Sequence, residues 1–113
     1  MYMFDELAEQ LHETAVEKGF WKVVDDASAE QTDIFITKQL MMIVSEATEV
    51  MEAIRKDKGE EEIADEMADI LIRTLDLYAG LVEHGYTRMS LDYAFEKKTN
   101  VNKSRAEKHG VRF

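Results

Sequence analysis

The sequence has no cysteine, no proline and only five glycines. Without cysteine there is no disulfide framework, no thiolate metal site and no cysteine nucleophile. Without proline, and with so little glycine, it lacks the punctuation of a turn-dense β fold and suits long helices. No apolar run approaches the roughly 20 residues that a membrane helix needs, and no signal-peptide pattern opens the chain. These absences point to a soluble, cytoplasmic, all-α protein. At 113 residues the chain is sized for one domain, residues 1–113, with a modest core.

Positive charge is also scarce: 14 Lys and Arg stand against 24 Asp and Glu, a net charge of −10. It is unevenly placed, because residues 1–96 hold 8 basic and 23 acidic side chains. Segment 97–113 holds six basic residues (Lys97, Lys98, Lys103, Arg105, Lys108 and Arg112) and one acid, Glu107. An acidic body disfavours nucleic acid, whose binding rests on phosphate neutralisation, and favours divalent cations. The basic segment reads either as a solvated terminus or as a clamp on a phosphate whose other side is held by metal.

Hydrophobic period predicts four helices. The first runs from about Met3 to Lys18 and is ended by Gly19. Ser28 or Thr32 caps the second, which runs to about Lys56 before a Lys58-Gly59 turn. The third starts among Glu60, Glu61 and Glu62, acids that suit a helix N-terminus, and ends near Gly85. The fourth runs from Thr87 or Ser90 to about Ser104. At 100° per residue, Ile36, Leu40, Ile43, Val44, Ala47, Val50, Met51 and Ile54 form one stripe on the second helix. Ile63, Met67, Ile70, Leu71, Thr74, Leu77, Tyr78 and Leu81 do so on the third. Two long amphipathic helices and a tight turn predict an antiparallel hairpin at the core of a four-helix-bundle-like fold. The third helix carries a second apolar face, Ala68, Ile72, Leu75, Ala79 and Val82, to be covered by another helix or by another subunit.

The second helix places Glu46 and Glu49 three residues apart on one flank, and the third does the same with Glu66 and Asp69. Sixteen residues separate Glu49 from Glu66, the length of a helical end, a turn and a helical start, so the two pairs come level in the hairpin. Four convergent carboxylates repel one another, with Glu66 on the margin of the apolar stripe. A divalent cation removes that penalty, and an oxygen-only donor set suits Mg²⁺, with Mn²⁺ as a substitute. Acidic residues three apart also occur on solvated helix flanks. Two pairs at matched depth are what favour the metal reading.

The E-x-x-E of Glu46 and Glu49, followed by the E-x-x-D of Glu66 and Asp69, resembles the signature of the MazG-like all-α nucleoside triphosphate pyrophosphohydrolases. Lys98 and Asn102, in KTNVNKSRAEKHGVRF, resemble that family's K-x-x-x-N element and its basic continuation. LHETAVEKGFW is similar to the opening of several nucleotide-cleaving members. The resemblance implies that Glu46, Glu49, Glu66 and Asp69 bind Mg²⁺ and that one of them orients the attacking water. It also implies that Lys98 and Asn102, with Arg73, take the phosphates, and that His12 and Trp21 are candidates for the base pocket. Arg73, one turn beyond Asp69, reads equally as a salt bridge to Asp69 or Asp76; His12 reads also as a surface imidazole and Trp21 as a core or lid aromatic. The implied reaction is cleavage of a (deoxy)nucleoside triphosphate between the α and β phosphates. The second apolar face of the third helix predicts a homo-oligomer joined there, a tetramer ahead of a dimer, and the dimers and tetramers common in the resembling family point the same way.

Two rival readings fit the sequence less well. A di-iron carboxylate bundle needs two Glu-x-x-His pairs, and Glu9-x-x-His12 stands alone. A non-catalytic helical interaction module, including an inactive relative of the pyrophosphohydrolases, fits the amphipathic helices but leaves Glu66 beside the core with no counter-ion.

Overall fold

The computed structural model describes residues 2–105, which hold four α-helices, a single 3₁₀ turn and no strand. The helices are α1 (Phe4–Glu17), α2 (Ala29–Arg55), α3 (Glu60–Glu83) and α4 (Leu91–Ser104), with the 3₁₀ turn at Lys22–Val24. No helix among these residues is long and apolar enough to cross a membrane.

Local chemistry sets the boundaries. Ser28 caps α2 by accepting the Gln31 N–H, while the Gln31 side chain accepts the Ser28 N–H in return, a reciprocal capping box. Ser90 accepts the Tyr93 N–H at the start of α4. The end of α1 is closed by Gly19, at φ +83, with the Gly19 N–H bonded to the Val16 carbonyl and the Phe20 N–H to the Ala15 carbonyl. That pair of bonds needs a left-handed residue at the turn, which glycine supplies without a Cβ clash. It reverses the chain sharply enough that the next two residues diverge: Phe20 stays 62% exposed while Trp21 is only 3% exposed.

α3 is the central element, packed by α2 on one side and α1 on the other. The buried centre gathers Ala15, Trp21, Val24, Ile36 and Leu77, with Phe35, Ile43 and Leu81 packed against it. The Trp21 ring meets Phe35 edge-on at 5.2 Å and His12 edge-on at 4.7 Å. The tip of its six-membered ring lies against Gly80, where an added Cβ would stand 2.1 Å from a ring carbon.

The hairpin of α2 and α3 forms as the sequence predicts, and part of each expected stripe is inward: Ile36 and Leu77 are buried, with Ile43 and Leu81 packed against them. Leu40, Val44, Met51 and Ile54 on α2, and Met67 and Leu71 on α3, are exposed rather than core. Val44 and Glu46 are two residues apart and therefore about 200° apart on the helix. With Glu46 turned inward, the Val44 side of the stripe faces outward, while Ile43, about 60° from Glu46, stays inward. The second apolar face of α3 is likewise only partly free. Leu75 is buried within one chain, and Ala79 and Val82 share a cavity wall with Ala8, Glu9 and His12 of α1.

α4 departs most from a four-helix bundle: it has no buried residue and packs mainly on α1. Phe95 meets Tyr2 and Phe4 edge-on, both at 4.8 Å. The radius of gyration is 16.7 Å, against about 13 Å for a compact 100-residue domain, so the helices do not close into one globule. The α4 start is held by an exchange of caps. Asp5 accepts the Ser90 hydroxyl at 2.6 Å and the Leu91 N–H at 2.7 Å, and Asp92 accepts the Phe4 N–H at 2.7 Å. Burial pushes the Asp5 carboxyl up, but the hydrogen bonds from Ser90, Leu91 and Asp92 outweigh it and leave the pKa lowered. A lowered folded pKa gives stability that is present above the unfolded value and lost as pH falls through the folded one. Asp5→Ala is therefore expected to cost about 1 kcal/mol, the usual worth of a cap, and to speed amide exchange in α4 at neutral pH. In the parent the same loosening is expected only below about pH 4. Hydrogen exchange across a pH series checks both.

Candidate metal and nucleotide site

The antiparallel hairpin brings Glu46 on α2 level with Glu66 and Asp69 on α3. These three residues each present a carboxylate oxygen, and the oxygens all lie within 4.8 Å of one another. Glu46 and Glu66 are half-buried, whereas Glu49 is exposed and lies outside that set. The Glu49 charge still reaches Glu66. Burial raises the Glu66 pKa first, and the charges of Asp69, Glu49, Glu46 and Glu62 raise it further. Packing negative charge this closely on a half-buried carboxylate is unfavourable without a counter-ion. The donor set is all oxygen and suits a hard divalent cation. The residues present therefore fit the metal that their pattern implies.

Arg73, one turn after Asp69, pairs with Glu46 across the hairpin at 3.8 Å, rather than with Asp69 or Asp76. Beside this pair opens a cavity of about 430 Å³, walled by Leu11, Thr14 and Ala15 of α1, by Lys18 and Phe20 just after it, and by Glu46, Asp69, Ile72, Arg73 and Asp76. That volume lies in the range of small-molecule sites. Its two cationic side chains, Lys18 and Arg73, stand with the acids that would hold metal, an arrangement suited to a polyphosphate carrying its own cation.

The other candidate residues lie elsewhere. Trp21 is in the core, donating its indole N–H to Asp76 at 3.0 Å. His12 is buried rather than a surface imidazole, with Nδ1 2.8 Å from Asp76 and Nε2 2.6 Å from Glu83. Neither ring lines the cavity; Phe20 is the aromatic that does. Lys98 and Asn102 are exposed on α4 and do not line it either. Residues 106–113, with Glu107, Lys108 and Arg112 of the basic segment, lie outside the described residues. Sequence reasoning missed Lys18 and Phe20. Their only signal was position, immediately around the Gly19 turn.

The fold and site together define an all-α hairpin protein with an acidic cluster opening into a ligand-sized cavity. The family model of the MazG nucleotide pyrophosphohydrolase domain matches residues 36–109, well over half of the chain, and the chain belongs to this family. No curated protein and no solved structure matches it. The matched span begins at Ile36 in α2, so α1 and Phe20, which wall the cavity, lie outside it.

The raised Glu66 pKa yields a metal prediction with a definite sign. Without metal, a carboxylate with a raised folded pKa favours the fold below its unfolded value, and this contribution is lost as pH rises through the folded value. Protons and cations thus relieve the same repulsion in competition. Mg²⁺ or Mn²⁺ is expected to raise the melting temperature most at pH 8, and progressively less as pH falls through the raised Glu66 value. Calorimetric melts across pH check this, and Glu66→Gln should flatten the dependence.

Proposed function

We propose that the protein is a Mg²⁺-dependent nucleoside triphosphate pyrophosphohydrolase, releasing a nucleoside monophosphate and pyrophosphate. The observation that carries this reading is the Glu46, Glu66 and Asp69 oxygen cluster, beside a cavity that also holds Arg73 and Lys18, in a chain of the MazG family. Glu46, Glu66 and Asp69 hold the metal, and Glu49 adds negative charge at its edge. When bound, Mg²⁺ supplies neutralisation of triphosphate charge and a water made more acidic by coordination. A carboxylate of the cluster orients water toward the α-phosphorus and accepts its proton as the bond to pyrophosphate breaks. Arg73 and Lys18 take phosphate charge, and Phe20 offers a face on which a base can stack. Release of pyrophosphate from a panel of ribo- and deoxynucleoside triphosphates with Mg²⁺ tests the reading. A protein that binds metal yet cleaves none of them would be the non-catalytic relative instead.

Assembly is part of the proposal. Val44 is 54% exposed and Met51 52% exposed on the outer face of α2, with Leu40 and Ile54 beside them, an apolar ridge of a kind soluble monomers rarely keep open. A second copy covering this ridge gives a closed homo-oligomer, tetramer ahead of dimer. It also gives α4, with Lys98 and Asn102, a route to the phosphate side of a neighbouring site. Val44→Glu removes no buried packing and is expected to dissociate the assembly into folded 13.1 kDa chains. Light scattering showing a monomeric parent at micromolar concentration would contradict it.

A further inference from the structure

Asp76 is absorbed neither by the metal cluster nor by the phosphate side of the cavity, although it lines the same wall. It sits seven residues beyond Asp69 on α3, about 10 Å further along the helix axis, the reach of a nucleoside rather than of one more phosphate. Its carboxylate is fixed from behind. Oδ1 accepts the Trp21 indole N–H at 3.0 Å and lies 2.8 Å from His12 Nδ1. Oδ2 has only the longer 3.2 Å branch of the same indole bond. His12 is pinned in turn by Glu83 on its other nitrogen, at 2.6 Å. A carboxylate oxygen has lone pairs for more than one donor, so Oδ2 keeps acceptor capacity on a side chain that is 15% exposed. Its bonds to Trp21 and His12 remove its freedom to turn away.

We infer that Asp76, positioned by His12 and Trp21, is a specificity residue that accepts a hydrogen bond from an N–H or O–H donor on the nucleoside of the substrate. This rests on the nucleotide reading of the same cavity. The charges order the ligand along α3. Phosphates lie at Arg73, Lys18 and the metal cluster, and they are repelled from the anionic Asp76, which therefore receives the uncharged end. Three donors have the right chemistry: an exocyclic amine on the base, the ring N–H of uracil or hypoxanthine, and a sugar 3′-hydroxyl. A site built around a fixed acceptor rejects a ligand lacking the donor, because the acceptor is then buried without a partner.

The test is calorimetric binding, in Mg²⁺, of the non-hydrolysable α,β-methylene analogues of dCTP, dUTP, dATP and dITP, together with their 3′-deoxy counterparts. If the base amine is read, dCTP and dATP analogues bind about tenfold or more tighter than dUTP and dITP analogues, and if the ring N–H is read the order reverses. If the hydroxyl is read, the 3′-deoxy series loses about the same factor across all bases. Asp76→Asn keeps an oxygen for Trp21 and His12 and turns an N–H₂ toward the ligand, so the preference shrinks or inverts. Equal affinity across both arms of the parent panel overturns the inference, whether or not the variant folds. So does binding of none of the analogues. Donor-selective binding by a protein that hydrolyses no triphosphate would leave the Asp76 assignment standing and remove the pyrophosphohydrolase reading. Hydrolysis without donor preference would do the reverse.

Discussion

Glu46→Gln is expected to lower triphosphate hydrolysis by about a hundredfold or more, with helical content unchanged. The substitution preserves volume and shape and removes one charge from three oxygens that converge within 4.8 Å. Its other consequence is loss of the 3.8 Å pair with Arg73, which is 38% exposed at its side chain. A pair of that exposure is worth about 1 kcal/mol at most, while a hundredfold in rate corresponds to about 2.7 kcal/mol. The ion pair alone is too small to produce the expected loss. Asp69→Asn should behave alike. Glu49→Gln should fall less far, since Glu49 is exposed and outside the close set. Steady-state kinetics alongside circular dichroism separates these cases. Parental turnover in Glu46→Gln would remove Glu46 from the site.

The second large effect falls on stability. Trp21→Ala is expected to destabilise by about 3–5 kcal/mol, the range for truncating a buried aromatic. That is a large share of the 5–15 kcal/mol that holds a typical domain. The indole is the piece that α1, the 3₁₀ turn, α2 and α3 share, and its removal also strips Asp76 of its indole donor. Gly80→Ala tests the same packing from the other side. In a solvated helix this change gains about 1 kcal/mol. Here the new Cβ stands 2.1 Å from the Trp21 ring, so the ring must move and the sign reverses. Urea unfolding of both variants checks it. A Gly80→Ala protein more stable than the parent would show that Trp21 does not rest on α3 as described.

The helix count and boundaries were legible because they depend on local chemistry. Ser28, Gly19, Gly59 and Ser90 act on the residues beside them, and each boundary lies within a residue or two of its expected place. The acidic pairs were legible for a similar reason: spacing within a helix and the length of one turn determine their level. Facing was harder. α2 carries a wide apolar stripe with Glu46 beside one edge of it, and only part of that width can meet α3. Periodicity takes the stripe whole, whereas the structure keeps Ile36 and Ile43 inward beside Glu46 and leaves Val44 outside. A stripe that a second copy would cover looks, in one sequence, the same as a stripe covered within the chain. His12 and Trp21 illustrate a different limit. Their partners, Asp76 and Glu83, lie more than 50 residues away, and no local pattern signals that meeting. Phe20 and Trp21 are adjacent aromatics, and only the turn at Gly19 decides which one enters the core.

The most direct measurement is product analysis by phosphorus NMR of a nucleoside triphosphate panel incubated with Mg²⁺ and either the parent or Glu46→Gln. The account predicts that the parent converts at least one triphosphate to its monophosphate and pyrophosphate, and that Glu46→Gln leaves the same substrate intact. Diphosphate and orthophosphate as products, or equal conversion by parent and variant, would contradict it.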